Sequence, residues 1–224
     1  MIGFRILECK HRVAQSWAEK FRALPVANIS DVMARITAGG PGLRPMHLSG
    51  VLSGPAFTVK TRPGDNLMVH KALDLAQPGD VIVVDAGGDL TNAIIGEIMV
   101  STAQKRGIAG LVINGAVRDV GAIGTGHFPV YAAGITHRGP YKNGPGEINV
   151  SISLDGMIVE PGDLIVGDED GLLCVPFDHI DAVYEAAKTK HELEIKIMAD
   201  IANGSLDTSW IDASLNHLNC EIVK

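Results

Sequence analysis

The stretch "DVIVVDAGGDLTNAIIGEIMVSTAQKRGIAGLVIN", Asp80 to Asn114, decides the fold. It opens on a short, unbroken apolar run, Val81 to Val84, which suits a strand buried on both faces. Residues 92–106 have the spacing of a helix, stopped by Gly107. A second apolar run follows over 108–114. Strand 80–86, helix 92–106 and strand 108–114 make a βαβ unit. Its crossover is right-handed if the two strands are parallel neighbours.

That geometry carries a consequence for the next residues, "GAVRD", Gly115 to Asp119. The helix runs back down and the second strand comes up again. About ten helical residues from Glu97 span ~15 Å, and six or seven strand residues span ~20 Å. Arg118 and Asp119 are therefore expected beside Gly96 and Glu97, across the carboxyl ends of the two strands. Open α/β sheets bind ligands at that edge.

The residue types there suit an anion and a hard cation. A helix starting near Gly96 is expected to leave unpaired N–H groups at Gly96, Glu97, Ile98 and Met99. Gly96 has no side chain to block approach. Arg118 can hold a carboxylate in a two-pronged clamp. Asp119 and Glu97 are oxygen donors of the kind that hold Mg²⁺ through a few direct bonds and several waters. A blander reading stands beside this one. Arg118-Asp119 can be a solvated loop pair of little energetic consequence, and Glu97 shares a helical face with Ser101 and Gln104.

Outside this unit, residues 14–24 and 66–76 have helical spacing, and Ser30 or Asp31 is a candidate cap for a short helix. Strands are expected over 50–61, in "FPVYAAG" and in "EINVSIS", with short strands and tight turns over 156–176. A long helix covers 179–204 and ends at Gly204. Pro-Gly-Asp recurs at Pro63, Pro78 and Pro161, each in a position suited to a turn. The expected organisation is one α/β domain over residues 1–224, with N-terminal helices over 1–40 and a C-terminal helix over 178–204.

Composition narrows the partners. The 224-residue chain carries a net charge of -7, which disfavours nucleic acid and anionic membrane surfaces. Cys9, Cys174 and Cys220 are odd in number and form no CxxC pair, which points to a reducing compartment rather than a disulfide framework. No secretory h-region and no run long enough to span a bilayer is visible. The expectation is a cytoplasmic protein with no membrane and no nucleic-acid partner.

The segment "GEIMVSTAQKRGIAGLVINGAVRD" resembles the RraA-like family, which includes the class II 4-hydroxy-4-methyl-2-oxoglutarate and 4-carboxy-4-hydroxy-2-oxoadipate aldolases. The shared feature is an acidic residue, twenty intervening residues, then Arg-Asp: here Glu97, then Arg118-Asp119. The likeness extends to "ISD" at 29–31, "PGDVIVVDAGG", "FPVYAAG" and "PGDLIVGDEDGLLCVP". It implies a swivelling-type α/β/β domain with flanking terminal helices, assembled as a homotrimer or hexamer. It implies a divalent metal, Mg²⁺ or Mn²⁺, held by Asp119. By the same resemblance Arg118 binds a 2-oxo acid, and the backbone at Gly96, Glu97, Ile98 and Met99 holds its carboxylate. Glu194, on the C-terminal helix of a neighbouring subunit, completes the site.

One departure stands out, since the aldolases usually carry Asp where this chain has Glu97. The activity implied is cleavage of 4-hydroxy-2-oxo di- and tricarboxylic acids to pyruvate, with oxaloacetate decarboxylation beside it. Cleavage needs a base for the hydroxyl proton, for which Glu97 and Glu194 are the candidates, acting through a water. Two other readings attach to relatives: a non-catalytic regulator that binds and inhibits a ribonuclease, and a demethylmenaquinone methyltransferase. "VVDAGGDL" only superficially suggests a nucleotide loop, because no GxGxxG follows the strand. Lys105 is a surface lysine on the polar helix face, a poor Schiff-base candidate.

Overall fold

The structure, a computed structural model, describes residues 3–35 and 41–221. The part of the expected N-terminal helical segment at 36–40 lies outside them. Two compact units are present, 1–187 and 188–224.

In chain order the first unit holds β1 (Phe4–Ile6), α1 (Gln15–Phe21), α2 (Val26–Val32), β2 (Arg44–Pro45), β3 (Leu52–Thr61), α3 (Leu67–Leu75) and β4 (Val81–Asp85). It continues with β5 (Ala93–Ile95), α4 (Glu97–Lys105), β6 (Gly110–Val117), α5 (Val120–Ile123), β7 (Val130–Ile135) and β8 (Gly146–Ile148). Then come β9 (Ile152–Leu154), β10 (Met157–Val159), β11 (Leu164–Gly167) and β12 (Leu172–Val175). Helix α6 (Ile180–Asn203) begins in this unit, and α7 (Ser209–His217) lies in the second.

The main sheet runs β1-β8-β3-β4-β6-β7-β2, and the β3, β4, β6 and β7 pairings are parallel. The expected βαβ unit is present, with Val81 opposite Gly110 and Asp85 opposite Asn114. Its continuous apolar strand has a simple cause. In β4, Ile82 and Val84 enter one core with Met68, Val69, Val100 and Ala103 of α3 and α4. Val81 and Val83 point the other way, to Leu154, Met157 and Val159 of the β9–β10 hairpin and Cys174 of β12. Alternating side chains of one strand thus serve two layers. Each of these four residues is fully buried, and full burial of a valine contributes roughly 1.5–3 kcal/mol. The layering is the expected α/β/β. A third core joins Ala18 and Phe21 of α1 and Ile29 of α2 to Leu164, Val166 and Leu173.

The Pro-Gly-Asp turns share one construction. Gly64, Gly79 and Gly162 have φ of 74°, 88° and 90°, a region that favours glycine. The following aspartates are almost fully buried and turn back on the backbone. Asp80 accepts the Gln77 amide, and Asp163 accepts the amides of Glu160 and Phe177. Asp65 accepts the amides of Leu67, Asn143 and Gly144.

Three local expectations are corrected. Helix 92–106 is in fact strand β5 followed by helix α4, because Ala93 and Ile95 pair with the end of β6 and Gly96 breaks the chain between them. The second strand does not stop at Asn114 but continues to Val117 past an irregularity between Ile113 and Ala116. Ser30 and Asp31 lie late in α2 rather than at its start. Pro25 precedes that helix, and the Asp168 carboxylate accepts the Val26 amide at 2.9 Å.

In the second unit, α6 ends before Gly204, whose φ is 68°, as the sequence predicts. Leu193, Ile195, Met198, Ile201 and Trp210 are exposed there. No helix among the described residues is long and apolar enough to cross a membrane.

Candidate active site

The carboxyl ends of β3, β4, β6 and β7 lead into loops that meet at one sheet edge. At its centre is the start of α4. Gly96 caps that helix, and a Cβ there would collide with the Asp119 carboxylate and lie 2.9 Å from Arg118 Cγ. Only glycine lets the two segments come this close.

Arg118 and Asp119 follow β6 directly. The Arg118 amide donates to Ile95 O at 3.0 Å, which ties the end of β6 to β5. Asp119 has φ 59° and ψ 35°, a left-handed conformation that costs a non-glycine residue about 1 kcal/mol and that aspartate tolerates better than most. Its Oδ2 accepts the Glu97 amide at 3.0 Å, while Arg118 Nε lies 3.7 Å from the same oxygen. Both side chains remain about two-fifths exposed, 41% and 43%. Glu97 is exposed in the first turn of α4.

The structure therefore brings Gly96, Glu97, Arg118 and Asp119 together as expected, with one refinement. The four amides expected to be unpaired are not all open. The Glu97 amide is taken by Asp119, and the Met99 amide donates to Gly96 O at 3.1 Å. Met99 itself is buried. Glu194 belongs to the second unit, where its carboxylate lies 3.5 Å from Lys190 Nζ one turn earlier.

Two loops frame this centre. After β7, Thr136 donates its amide to Val117 O at 3.0 Å. The Asn92 side chain then holds Gly139 O at 2.6 Å, and a Cβ built on Gly139 would lie 3.3 Å from Arg118 Nη1. After β4, the amides of the glycine-rich turn are already taken: Gly87 donates to Asp85 Oδ1 and Gly88 to Asn114 O of the neighbouring β6. Those two amides are not open to cradle a phosphate. A groove of about 520 Å³ lies on α4, lined by Glu97, Ile98, Ser101, Thr102, Lys105 and Arg106. The larger cavity, about 1150 Å³, includes Arg5, His11, Asp163 and Cys174 and shares no residue with the groove.

Among the described residues no group of three or more His, Cys, Asp or Glu side chains could hold a metal. The donor set suits instead a hard cation that takes one carboxylate from the protein and the rest from substrate and water, as Mg²⁺ commonly does. Asp119 fits that role, because Oδ2 is bonded to the Glu97 amide and Oδ1 takes no hydrogen bond from the described residues. His127, a loop residue after the Arg-Asp pair, faces Ser49 at 2.8 Å.

Arg138, exposed in the loop after β7, emerges at this same edge. The available signal was position, since "THRG" follows the parallel strand next to β6 and so emerges at the same sheet edge.

Comparison with known proteins agrees with this architecture. Residues 26–174 match the family model RraA-like, described as Aldolase/RraA. A Halalkalibacterium halodurans protein named "Putative 4-hydroxy-4-methyl-2-oxoglutarate aldolase" is 43% identical over 171 residues, covering 76% of this chain and 81% of that one. The structure of an uncharacterized protein from Pseudomonas syringae superposes with a TM-score of 0.77 at 28% identity, covering 87% of this chain and 96% of that one. The RNA-processing inhibitor RraA from Thermus thermophilus has a TM-score of 0.63 at 31% identity, covering 68% and 92%.

Proposed function

The chain belongs to the RraA-like family, and on that premise we propose that it is a metal-dependent class II aldolase. It cleaves 4-hydroxy-2-oxo di- or tricarboxylic acids to pyruvate and also decarboxylates oxaloacetate. The observation that carries this reading is the placement of Arg118 and Asp119 against Gly96 and Glu97 at the sheet edge.

Both reactions leave the electron pair of the broken C–C bond on a pyruvate unit, as an enolate. A divalent cation at Asp119 supplies Lewis acidity toward the 2-oxo acid when bound. Arg118 supplies a fixed positive charge to the same oxygens, which stabilises the charge as it develops. The Ile98 amide, in the first turn of α4, suits the substrate carboxylate. Cleavage further requires removal of the 4-hydroxyl proton, for which Glu97 and Glu194 are the bases. Decarboxylation requires no such base. Glu97 is one methylene longer than aspartate and so reaches farther from the helix start.

Glu194 enters this scheme from a neighbouring subunit of a homotrimer or hexamer. The exposure of Leu193, Met198, Ile201 and Trp210, and of Ile98 at 78%, supports such an assembly. A Schiff-base route finds little support, because Lys105 is exposed in the last turn of α4 and lacks the desolvation that activates lysine.

The test is pyruvate release from a panel of 4-hydroxy-2-oxo acids and oxaloacetate, with and without Mg²⁺ or Mn²⁺. Saturable, metal-dependent release that disappears in Arg118→Ala is the expected result. A wild-type protein inert toward the whole panel, yet binding and inhibiting an endoribonuclease, would instead favour a regulator like the RraA from Thermus thermophilus.

A further inference from the structure

We propose that Arg138 is a specificity-determining residue of this site, reading the second carboxylate at the far end of the dicarboxylic substrate. This rests on the aldolase reading of the Arg118–Asp119 site.

The backbone around Arg138 is fixed at several points. Thr136 is bonded to Val117 O, the residue before Arg118. The Arg138 carbonyl accepts the Ala93 amide at 2.8 Å, and the Gly139 carbonyl accepts the Asn92 side chain at 2.6 Å. Tyr141 donates to Gly64 O at 2.8 Å, and its own carbonyl accepts the Asn66 amide. The loop is thus braced against both the β3–α3 turn and the start of β5.

On this braced backbone Arg138 is exposed, and its guanidinium has no hydrogen bond or ion pair among the described residues. The other arginines near this edge are partnered: Arg62 by Asp65 and Arg118 by Asp119. Gly139, its neighbour, abuts the Arg118 guanidinium. Arg138 thus leaves the backbone one residue from the segment that abuts Arg118, and no carboxylate among the described residues pairs with its guanidinium. An arginine side chain reaches ~6–7 Å from its Cα. A 2-oxo dicarboxylate of four or five carbons is of comparable length, so one held by Arg118 at one end can be engaged by Arg138 at the other. A distal carboxylate would satisfy Arg138 through charge-assisted hydrogen bonds, whereas a distal methyl would leave it unpaired. Selection by such a polar contact is stronger than selection by an apolar one.

The test compares oxaloacetate with a 4-hydroxy-2-oxo monocarboxylate in the wild type, Arg138→Ala and Arg138→Lys, with pyruvate inhibition measured in parallel. For Arg138→Ala, the KM for oxaloacetate is expected to rise about tenfold to a hundredfold. The monocarboxylate KM and the pyruvate inhibition constant are expected to stay within about twofold. Arg138→Lys is expected to recover part of the loss. An active wild type whose oxaloacetate KM is unchanged in Arg138→Ala overturns this proposal and leaves the aldolase reading standing. A wild type inert toward both substrates overturns the aldolase reading, and this proposal with it.

Discussion

The Asp119 carboxylate accepts the backbone amide of Glu97 at 3.0 Å. The two acidic residues of the motif, 22 positions apart, are thus joined through one residue's main chain rather than through both side chains. The Asp119 carboxylate thus serves the first turn of α4 behind the N-cap Gly96, and its other oxygen, Oδ1, takes no hydrogen bond from the described residues. Structure and chemistry meet on one carboxylate, and substitutions can separate them.

Asp119→Asn keeps an acceptor for the Glu97 amide, whereas Asp119→Ala removes it. Thermal unfolding is expected to show Asp119→Asn within about 0.5 kcal/mol of the wild type. Asp119→Ala is expected to lose about 0.5–2 kcal/mol, the usual cost of a helix cap. Equal stability of the two variants would show that the bond contributes nothing.

Gly96→Ala places a methyl group against the Asp119 carboxylate and Arg118. One segment must move, and a displacement of about 1 Å in a positioning group costs on the order of a hundredfold in rate. The expected result is a large loss of kcat/KM with a folded, cooperative melting curve. Wild-type kinetics in this variant would mean that the close approach is not required.

Asp65 is fully buried and accepts three amides, those of Leu67, Asn143 and Gly144. Its removal strands those donors away from water. Asp65→Ala is expected to lose about 3–5 kcal/mol in denaturant unfolding. A loss below ~1 kcal/mol would show that the loop finds other acceptors.

Burial pushes the carboxyls of Asp80 and Asp163 above the usual carboxylate range, partly offset by the amides they accept and, for Asp80, by Arg12. The sign follows from proton linkage. A carboxyl raised in the folded state binds its proton more tightly there than in the unfolded chain. The stability it contributes is complete below its ordinary value, about 4, and is lost as pH rises through the raised value. In calorimetric scans upward from about pH 4, the stability advantage of the wild type over Asp163→Asn is therefore expected to shrink. An advantage that grows with pH would reverse the assignment.

Much of this was legible in the chain. The unbroken run Val81–Val84 predicted a doubly covered strand, because each residue of such a strand meets an apolar layer. Each Pro-Gly-Asp predicted a turn, because glycine alone enters the positive-φ position easily. Strand β5 was not legible, since Ala93–Ile95 lies against the extension of β6, and three apolar residues before a glycine fit a helix equally well. The cap of α2 was hidden because its acceptor, Asp168, lies 142 residues away. At the site, residue types and loop lengths placed Arg118-Asp119 by Gly96-Glu97. They did not reveal that Asp119 would consume one of the amides, which depends on its left-handed backbone. The position of Arg138 at this edge was not legible, because it depends on β7 being the neighbour of β6.

The most direct test of the account is oxaloacetate decarboxylation by Asp119→Asn over a Mg²⁺ titration, beside the wild type. This variant keeps an acceptor for the Glu97 amide and loses the charge proposed to hold the cation. Saturable, Mg²⁺-dependent pyruvate release is expected from the wild type, and in the variant a loss of about a hundredfold at low Mg²⁺. Release by Asp119→Asn at the wild-type rate and with the wild-type Mg²⁺ dependence would contradict it.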